Sequence, residues 1–91
     1  MSPRKKGERL LYLSSAPIKV AVYAYLEANG EKRSQFVARY ARRFAMANRT
    51  AWRDLAWVER RKQVPMNVGD QMALAIGTHP ILIWGGEYEN A

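Results

Sequence analysis

Apolar residues recur at helical spacing between Ile18 and Leu26. The run follows Ser14-Ser15-Ala16-Pro17, where a serine oxygen can accept a hydrogen bond from an unpaired N–H group and proline is tolerated in the first turn. Asn29-Gly30 then supplies residues that tolerate the left-handed conformation in which helices end. These features predict a first helix between the two boundaries. Because it is apolar on most sides, we expect it at the centre of the domain.

A second helix is predicted from Ser34 to about Ala47. At 100° per residue its apolar side chains share one broad face, formed by Phe36, Val37, Tyr40, Ala41, Phe44 and Ala47. The roughly opposite face carries Arg39, Arg42 and Arg43. The pattern therefore predicts an amphipathic helix with one face on the core and a basic face directed away from it.

A third helix is predicted to follow a break at Asn48-Arg49-Thr50, where Asn48 or Thr50 offers a new N-cap, and to run to about Gln63. Its core stripe is formed by Ala51, Leu55 and Val58, with Trp52 beside it as a further expected core residue. The other side carries Arg49, Arg53, Trp57 and Arg60.

The pattern changes after Val64-Pro65, because proline disfavours helix at the residue before it. Asn67-Val68-Gly69-Asp70 and Gly77-Thr78-His79-Pro80 are predicted turns, and residues 71–76 between them are too few to decide between helix and strand. Ile81-Leu82-Ile83-Trp84 is the best predicted strand of the chain. The expected fold class is therefore α+β and mainly helical, with three helices followed by a short C-terminal β-hairpin.

Composition bounds the chemistry. A chain of 91 residues that is 48% hydrophobic has the size of one small globular domain. The lack of cysteine excludes disulfides, cysteine-ligated zinc, iron–sulfur clusters and a thiol nucleophile, and it favours a reducing, cytoplasmic compartment. The single histidine, His79, lies in a predicted turn, and the sequence has neither metal-ligand spacing nor a glycine-rich phosphate loop. We therefore expect that the protein is not an enzyme and that it has no cofactor, bound metal or small-molecule substrate. The apolar runs are too short to span a membrane, so no membrane partner is expected.

Charge is the feature that points to a partner. The net charge is +7, and all fifteen Lys and Arg residues lie between Arg4 and Lys62, whereas residues 65–91 contain three acids and no Lys or Arg. Residues 1–9 are predicted to form a basic flexible arm, and residues 10–91 a single domain. Residues 32–62 alone hold ten basic residues, eight of them arginine, and two acids. A solvated helix surface normally mixes both signs, so this excess predicts a polyanionic partner.

The segment Asn48-Arg49-Thr50-Ala51-Trp52-Arg53-Asp54-Leu55-Ala56-Trp57-Val58-Glu59-Arg60-Arg61-Lys62-Gln63-Val64 resembles the recognition helix of winged helix-turn-helix DNA-binding proteins. The positions that match that pattern are Thr50, Arg53, Leu55, Val58, Glu59 and Val64. Together with the order of three helices and an apolar C-terminal segment, the resemblance extends over about residues 16–86. Lys62-Gln63 departs from the family, which usually has a glycine just before the closing aliphatic residue, and the predicted wing lacks the usual basic residues.

The resemblance implies a winged-helix-like domain that binds duplex DNA sequence-specifically, as a small transcriptional regulator, a repressor of the phage or plasmid type. Helix 49–63 would enter the major groove. The expected DNA-binding residues on and next to it are Arg49, Thr50, Arg53, Trp57, Arg60 and Arg61. Further contacts are expected with the DNA backbone from Arg39, Arg42 and Arg43, and with an adjacent minor groove from Arg4, Lys5 and Lys6. For Trp57 two interpretations stand. One is a contact with DNA, either with a thymine methyl group or by stacking on a base, and the other, which is favoured, is packing on the C-terminal hairpin.

Residues 65–91 are predicted to form a homodimer contact, since a dimer would let so small a domain cover a longer site. Two alternatives to duplex DNA stay open. Binding of structured RNA shares the same electrostatics, although aromatic residues predicted on core stripes weigh against it. The other is a small interaction or inhibitor protein that binds an acidic protein surface, with Ile81-Leu82-Ile83-Trp84 pairing edge to edge with its partner.

Overall fold

The computed structural model describes residues 11–90, which form two short strands and six helices. In chain order these are β1 (Tyr12–Ser14), α1 (Ser15–Asn29), α2 (Arg33–Arg43), α3 (Asn48–Arg60), β2 (Gln63–Pro65), α4 (Met66–Ala75), α5 (Pro80–Trp84) and α6 (Gly86–Glu89). The described part is thus α+β and mainly helical, as the sequence predicts. No helix within residues 11–90 is both long and apolar enough to cross a membrane.

Helix α1 has the predicted limits but not the predicted surroundings. It ends at Gly30, whose φ of 59° is left-handed and whose N–H donates to the Glu27 carbonyl at 3.3 Å. Val20 and Tyr23 are 68% and 41% exposed, so the expectation of a central helix buried on most sides is wrong. Helices α3, α4 and α5 pack against α1 on the side that includes Ile18 and Val22 and leave its other side uncovered.

Helices α2 and α3 are joined by the four residues 44–47. Helix α2 ends at Arg43, before the predicted Ala47, because the backbone turns at Ala45 with a left-handed φ of 53°. The Met46 N–H then donates to the Ala41 carbonyl at 2.9 Å, so one of the carbonyls at the C-terminus of α2 that lack a partner within the helix is satisfied. Helix α3 begins at Asn48 with Ala47 at its N-cap, so neither predicted capping residue occupies that position.

Helix α3 ends at Arg60, and residues 63–65 leave the helical path to form β2, so the predicted extension to Gln63 is wrong. Strands β1 and β2 form an antiparallel pair in which Leu13 lies opposite Val64, and both side chains are fully buried. The pattern analysis predicted neither strand. A three-residue strand is specified by its partner across the sheet more than by its own alternation.

The C-terminal segment differs most from expectation, because residues 66–90 contain no strand and therefore no β-hairpin. The predicted turn at Asn67-Val68-Gly69-Asp70 lies inside α4, which continues through most of the undecided residues 71–76. The predicted strand at residues 81–84 is part of helix α5. Pro80 occupies the first turn of α5, and His79 Nδ1 accepts a hydrogen bond from the Ile81 N–H at 3.1 Å, so capping outweighs the β-branched composition. An acidic partner therefore has no edge strand to pair with at residues 81–84.

Trp84 holds the C-terminal helices on the rest of the domain. Its indole Nε1 donates to the Ser14 carbonyl at 2.7 Å, and the Glu87 carboxylate accepts from the Ser14 N–H at 2.7 Å and from its hydroxyl at 2.9 Å. The indole also lies directly over Gly69, where an added Cβ would stand 2.7 Å from Trp84 Cη2. Gly69 is therefore present for close packing, and the turn inferred from it was wrong.

Candidate nucleic-acid interface

The exposed face of α3 is a stripe of arginines and small or aromatic residues. Arg49, Arg53 and Arg60 are exposed, and Ala56 is half-buried between the last two. Their spacings of four, three and four residues keep all four side chains on one side of the helix. Three of the arginines predicted to bind DNA therefore lie on a common surface.

The two acidic residues of α3, Asp54 and Glu59, lie outside this stripe. Asp54 is 2% exposed and accepts a hydrogen bond from the Tyr40 hydroxyl at 2.9 Å. Its other carboxylate oxygen accepts from Arg53 Nη2 at 3.2 Å, while the Arg53 side chain itself stays 63% exposed. A buried carboxylate needs such partners. Asp54 therefore serves the interior and adds little negative charge to the surface.

Glu59 is held on the side of α3 that faces α1 and α2. Arg33 donates to its two carboxylate oxygens at 2.9 and 2.7 Å, the Tyr23 hydroxyl donates at 2.6 Å, and the Glu59 side chain is 10% exposed. Burial alone would raise the pKa of Glu59, but the hydrogen bonds from Arg33 and Tyr23, with the charges of Arg33 and Arg60, outweigh it and lower that pKa. Glu59 is thus ionised at neutral pH and compensated within the domain.

Tyr40 is the interior partner that keeps Asp54 in place. Burial, followed by the nearby Asp54 charge and the hydrogen bond to it, strongly raises the pKa of Tyr40, so the phenol stays neutral and acts as a donor. Its oxygen also lies 2.9 Å from Oε1 of Gln71 on α4. This group therefore links α2, α3 and α4 beneath the arginine stripe.

A shallow depression opens at the C-terminal half of α3. It is lined by Arg53, Ala56, Trp57, Arg60 and Arg61 and has a volume of about 190 Å³. Trp57 is half-buried against the core, and the Arg61 guanidinium lies 5.9 Å from the centre of one of its rings. Trp57 thus packs as favoured from the sequence, although on the helical core and not on a hairpin, and it still lines the surface.

Trp52 was predicted as a core residue, and that prediction is wrong. The side chain is 37% exposed, and the Arg33 guanidinium lies 5.2 Å above its ring. The reason is its place in the helix: Trp52 falls between the buried Ala51 and the exposed Arg53, at the boundary of the two faces. It extends the arginine stripe with an accessible aromatic ring.

The three predicted arginines of α2 have different environments. Arg39 donates to both oxygens of Glu31 at 3.1 Å and to the Ala75 carbonyl at 2.9 Å, so its guanidinium is largely engaged. Arg43 donates to the Leu74 carbonyl at 2.9 Å from an exposed position. Both cations satisfy carbonyls at the C-terminus of α4, where positive charge is favourable. The Arg42 side chain is exposed and has no hydrogen bond or ion pair to other residues within 11–90.

The remaining predicted residues divide between the α3 region and the arm. Thr50 is half-buried in the first turn of α3, and Arg61 is exposed directly after its last residue. Arg4, Lys5 and Lys6 lie outside the described residues. Sequence reasoning missed Arg33 and Tyr23 as partners of Glu59, since neither their spacing nor their type distinguishes them from surface residues. Within residues 11–90 no three His, Cys, Asp or Glu side chains cluster in a way that could hold a metal ion.

The exposed surface of α3 is therefore cationic and lies above a buried group of hydrogen-bonded side chains. Comparisons of this chain with protein-family models, with curated proteins and with solved structures found no match.

Proposed function

We propose that this chain binds duplex DNA by placing the exposed face of α3 in the major groove. The observation that carries the proposal is the separation of charge on α3: its exposed arginines face outward, whereas Asp54 and Glu59 are buried or paired inside the domain. Arginines exposed on one helix face attract phosphates and can form paired hydrogen bonds with guanine. Among residues 11–90 Arg53 is paired with Asp54, whereas Arg49 and Arg60 form no ion pair. A surface that only needed to be soluble would not require removal of both carboxylates.

The connection between α2 and α3 supports a helix-turn-helix arrangement. Four residues join the helices, and Ala45 takes the left-handed conformation for which such turns often use glycine. From Arg49 to Arg60 the helix rises about 16 Å at 1.5 Å per residue, or roughly five base-pair steps of about 3.4 Å. Among residues 11–90 the only strands are β1 and β2, so a wing formed within this range would come from them.

The arginines have separate roles in this proposal. Arg49, Arg53 and Arg60 contact bases or phosphates within the groove, and Arg42, Arg43 and Arg61 contact the flanking backbone. Arg39 acts indirectly, since its contacts with Glu31 and Ala75 hold α2 against α4. We retain the prediction of a small cytoplasmic transcriptional repressor, with the arm Arg4-Lys5-Lys6 adding contacts to the DNA.

The same proposal includes a homodimer contact through residues 65–91. Leu74, Ile81 and Leu82 are exposed there, the last by 75%, and burial of these apolar side chains against a second copy would favour association. Light scattering should give the mass of a dimer at micromolar concentration. A monomer mass at every concentration tested would contradict this part of the proposal without affecting DNA binding.

The test is fluorescence anisotropy with the duplex upstream of the chain's own gene, a scrambled duplex and a matched RNA hairpin, across a salt series. We expect a preference for the upstream duplex that persists at about 200 mM salt, where purely electrostatic binding is weak. Arg53→Ala should weaken this binding about 5- to 150-fold, equivalent to about 1–3 kcal/mol, and weaken scrambled duplex less. The charge-matched control is Lys32→Gln, at an exposed position just before α2 and outside the proposed contact surface. Equal, salt-sensitive binding of all three probes would contradict the proposal.

RNA remains a second candidate because of one feature, the exposed ring of Trp52 beside Arg49 and Arg53. Exposed aromatic side chains stack on the unpaired bases that RNA-binding proteins recognise. Tighter binding of the hairpin than of either duplex, reduced by Trp52→Ala, would favour this candidate over DNA.

A further inference from the structure

The depression on α3 is lined by three arginines and by the side chains of Ala56 and Trp57, which together are called its apolar floor. Arg53 and Arg60 are seven residues apart, a rise of about 10.5 Å, and Ala56 lies between them on the same face. Trp57 forms the rest of the floor and is held by its packing on the core, and Arg61 flanks it. The site is therefore preformed on a helix and has two cationic edges around a small apolar patch.

This combination does not match a phosphate alone. Three guanidinium groups could bind phosphate without Ala56 and Trp57. The Ala56 methyl group and the carbon face of the Trp57 ring form no strong hydrogen bonds, and covering them favours an apolar ligand. In the major groove the apolar group presented by a base pair is the C5 methyl group of thymine, or of a methylated cytosine. A spacing of about 10.5 Å corresponds to roughly three base-pair steps of about 3.4 Å. Two base pairs then lie between the two arginine-contacted positions, and a base of one of these two pairs would face the floor.

We propose that the depression formed by Arg53, Ala56, Trp57 and Arg60 receives the C5 methyl group of a pyrimidine in the major groove. This inference rests on the proposed binding of duplex DNA and names the base feature that α3 recognises. It also provides a means of preferring DNA over RNA, because uracil has no C5 methyl group. The arginines contribute affinity and position, and the apolar floor contributes the discrimination.

The test uses the upstream duplex in three forms: with thymine, with uracil at every thymine position, and with uracil together with 5-methylcytosine at every cytosine position. Burial of one methyl group is worth about 0.8 kcal/mol, so we expect uracil to weaken binding about fourfold for each methyl group contacted. Recovery of affinity in the third form shows that a cytosine position also faces the depression and that the methyl group of 5-methylcytosine fills it. Loss that persists in the third form places the contacted methyl group at a thymine position.

Ala56→Gln fills the depression with a polar side chain while keeping a good helix former. Its thymine-to-uracil affinity ratio should fall to about one, whereas the control Ala24→Gln, at an exposed position on α1, should keep the parent ratio. Far-UV circular dichroism checks that both variants are folded. Tight and equal binding of all three duplexes by the parent would overturn the methyl site and leave DNA binding intact. Failure of the parent to bind any duplex would overturn both.

Discussion

Replacement of Gly69 by alanine tests the packing of α5 on α4. In an exposed helix interior this substitution normally stabilises a protein by about 1 kcal/mol, because alanine has the higher helix propensity. Here the new Cβ would lie 2.7 Å from Trp84 Cη2 and 3.3 Å from Leu13 Cδ1, both in buried side chains. The structure therefore predicts that the sign of the effect is reversed.

The magnitude follows from what has to move. Overfilling a packed interior costs about 1–3 kcal/mol, and displacing the indole also weakens the hydrogen bond from Trp84 to the Ser14 carbonyl, worth about 1 kcal/mol. After subtraction of the propensity gain of about 1 kcal/mol, Gly69→Ala should lower the free energy of unfolding by about 1–3 kcal/mol. In a domain of this size that corresponds to a fall in Tm of roughly 4–8 °C per kcal/mol.

Urea unfolding followed by circular dichroism measures the change. The control is Gly86→Ala, where the nearest non-neighbouring atom to the new Cβ is 3.9 Å away, and it should leave stability unchanged or slightly raised. Trp84→Phe shortens the side chain at the point of contact, so the loss caused by Gly69→Ala should be smaller in that background. A Gly69→Ala protein as stable as the parent or more stable would refute the explanation of this glycine.

Two further predictions concern the framework beneath the α3 surface. Ala45→Gly should raise the free energy of unfolding by up to about 1 kcal/mol. Relief of the left-handed conformation, which costs a residue with a Cβ about 1–2 kcal/mol, stabilises the variant, and the greater conformational freedom of glycine in the unfolded chain offsets only part of this gain. A variant that is less stable than the parent in a urea titration would contradict the prediction. Since the pKa of Glu59 is lowered by folding, its ion pair with Arg33 stabilises the domain above the ordinary glutamate pKa of about 4.3 and is lost as the pH falls through the lower folded value. Thermal melts from pH 7 to 3 should therefore show a smaller loss of Tm for Glu59→Gln than for the parent, and parallel curves would exclude this contribution.

The parts of the fold that the sequence predicted are those with local causes. Helix α1 ends where Asn29-Gly30 allows a left-handed residue, and the apolar periodicity of α2 and α3 identifies most of their buried side chains. The stripe that includes Arg53 and Arg60 was likewise visible as the polar side of a helical repeat. Local geometry is sufficient for such features, because each depends on residues three or four positions apart.

The errors have causes that lie far away in the chain. Leu13 belongs to a strand only because Val64 lies opposite, and Gly69 resembles a turn residue until Trp84 is placed above it. Asp54 was counted as a surface charge, although its position is determined by Tyr40 on another helix. No pattern within a short window contains these partners, so the candidate surface was predicted more completely than the interior that supports it.

Ser14 has a consequence for how the chain folds during synthesis. Its N–H and carbonyl groups, at the start of α1, are bound by Glu87 and Trp84, which follow 73 and 70 residues later. At translation rates of about 5–20 residues per second, roughly 4–15 s separate these groups from their partners. Closing so long a loop is also entropically unfavourable until other contacts have formed. The hydrogen bonds of Ser14 are therefore completed only after Trp84 and Glu87 have been synthesised, and until then the growing chain exposes the surface that Trp84 will cover.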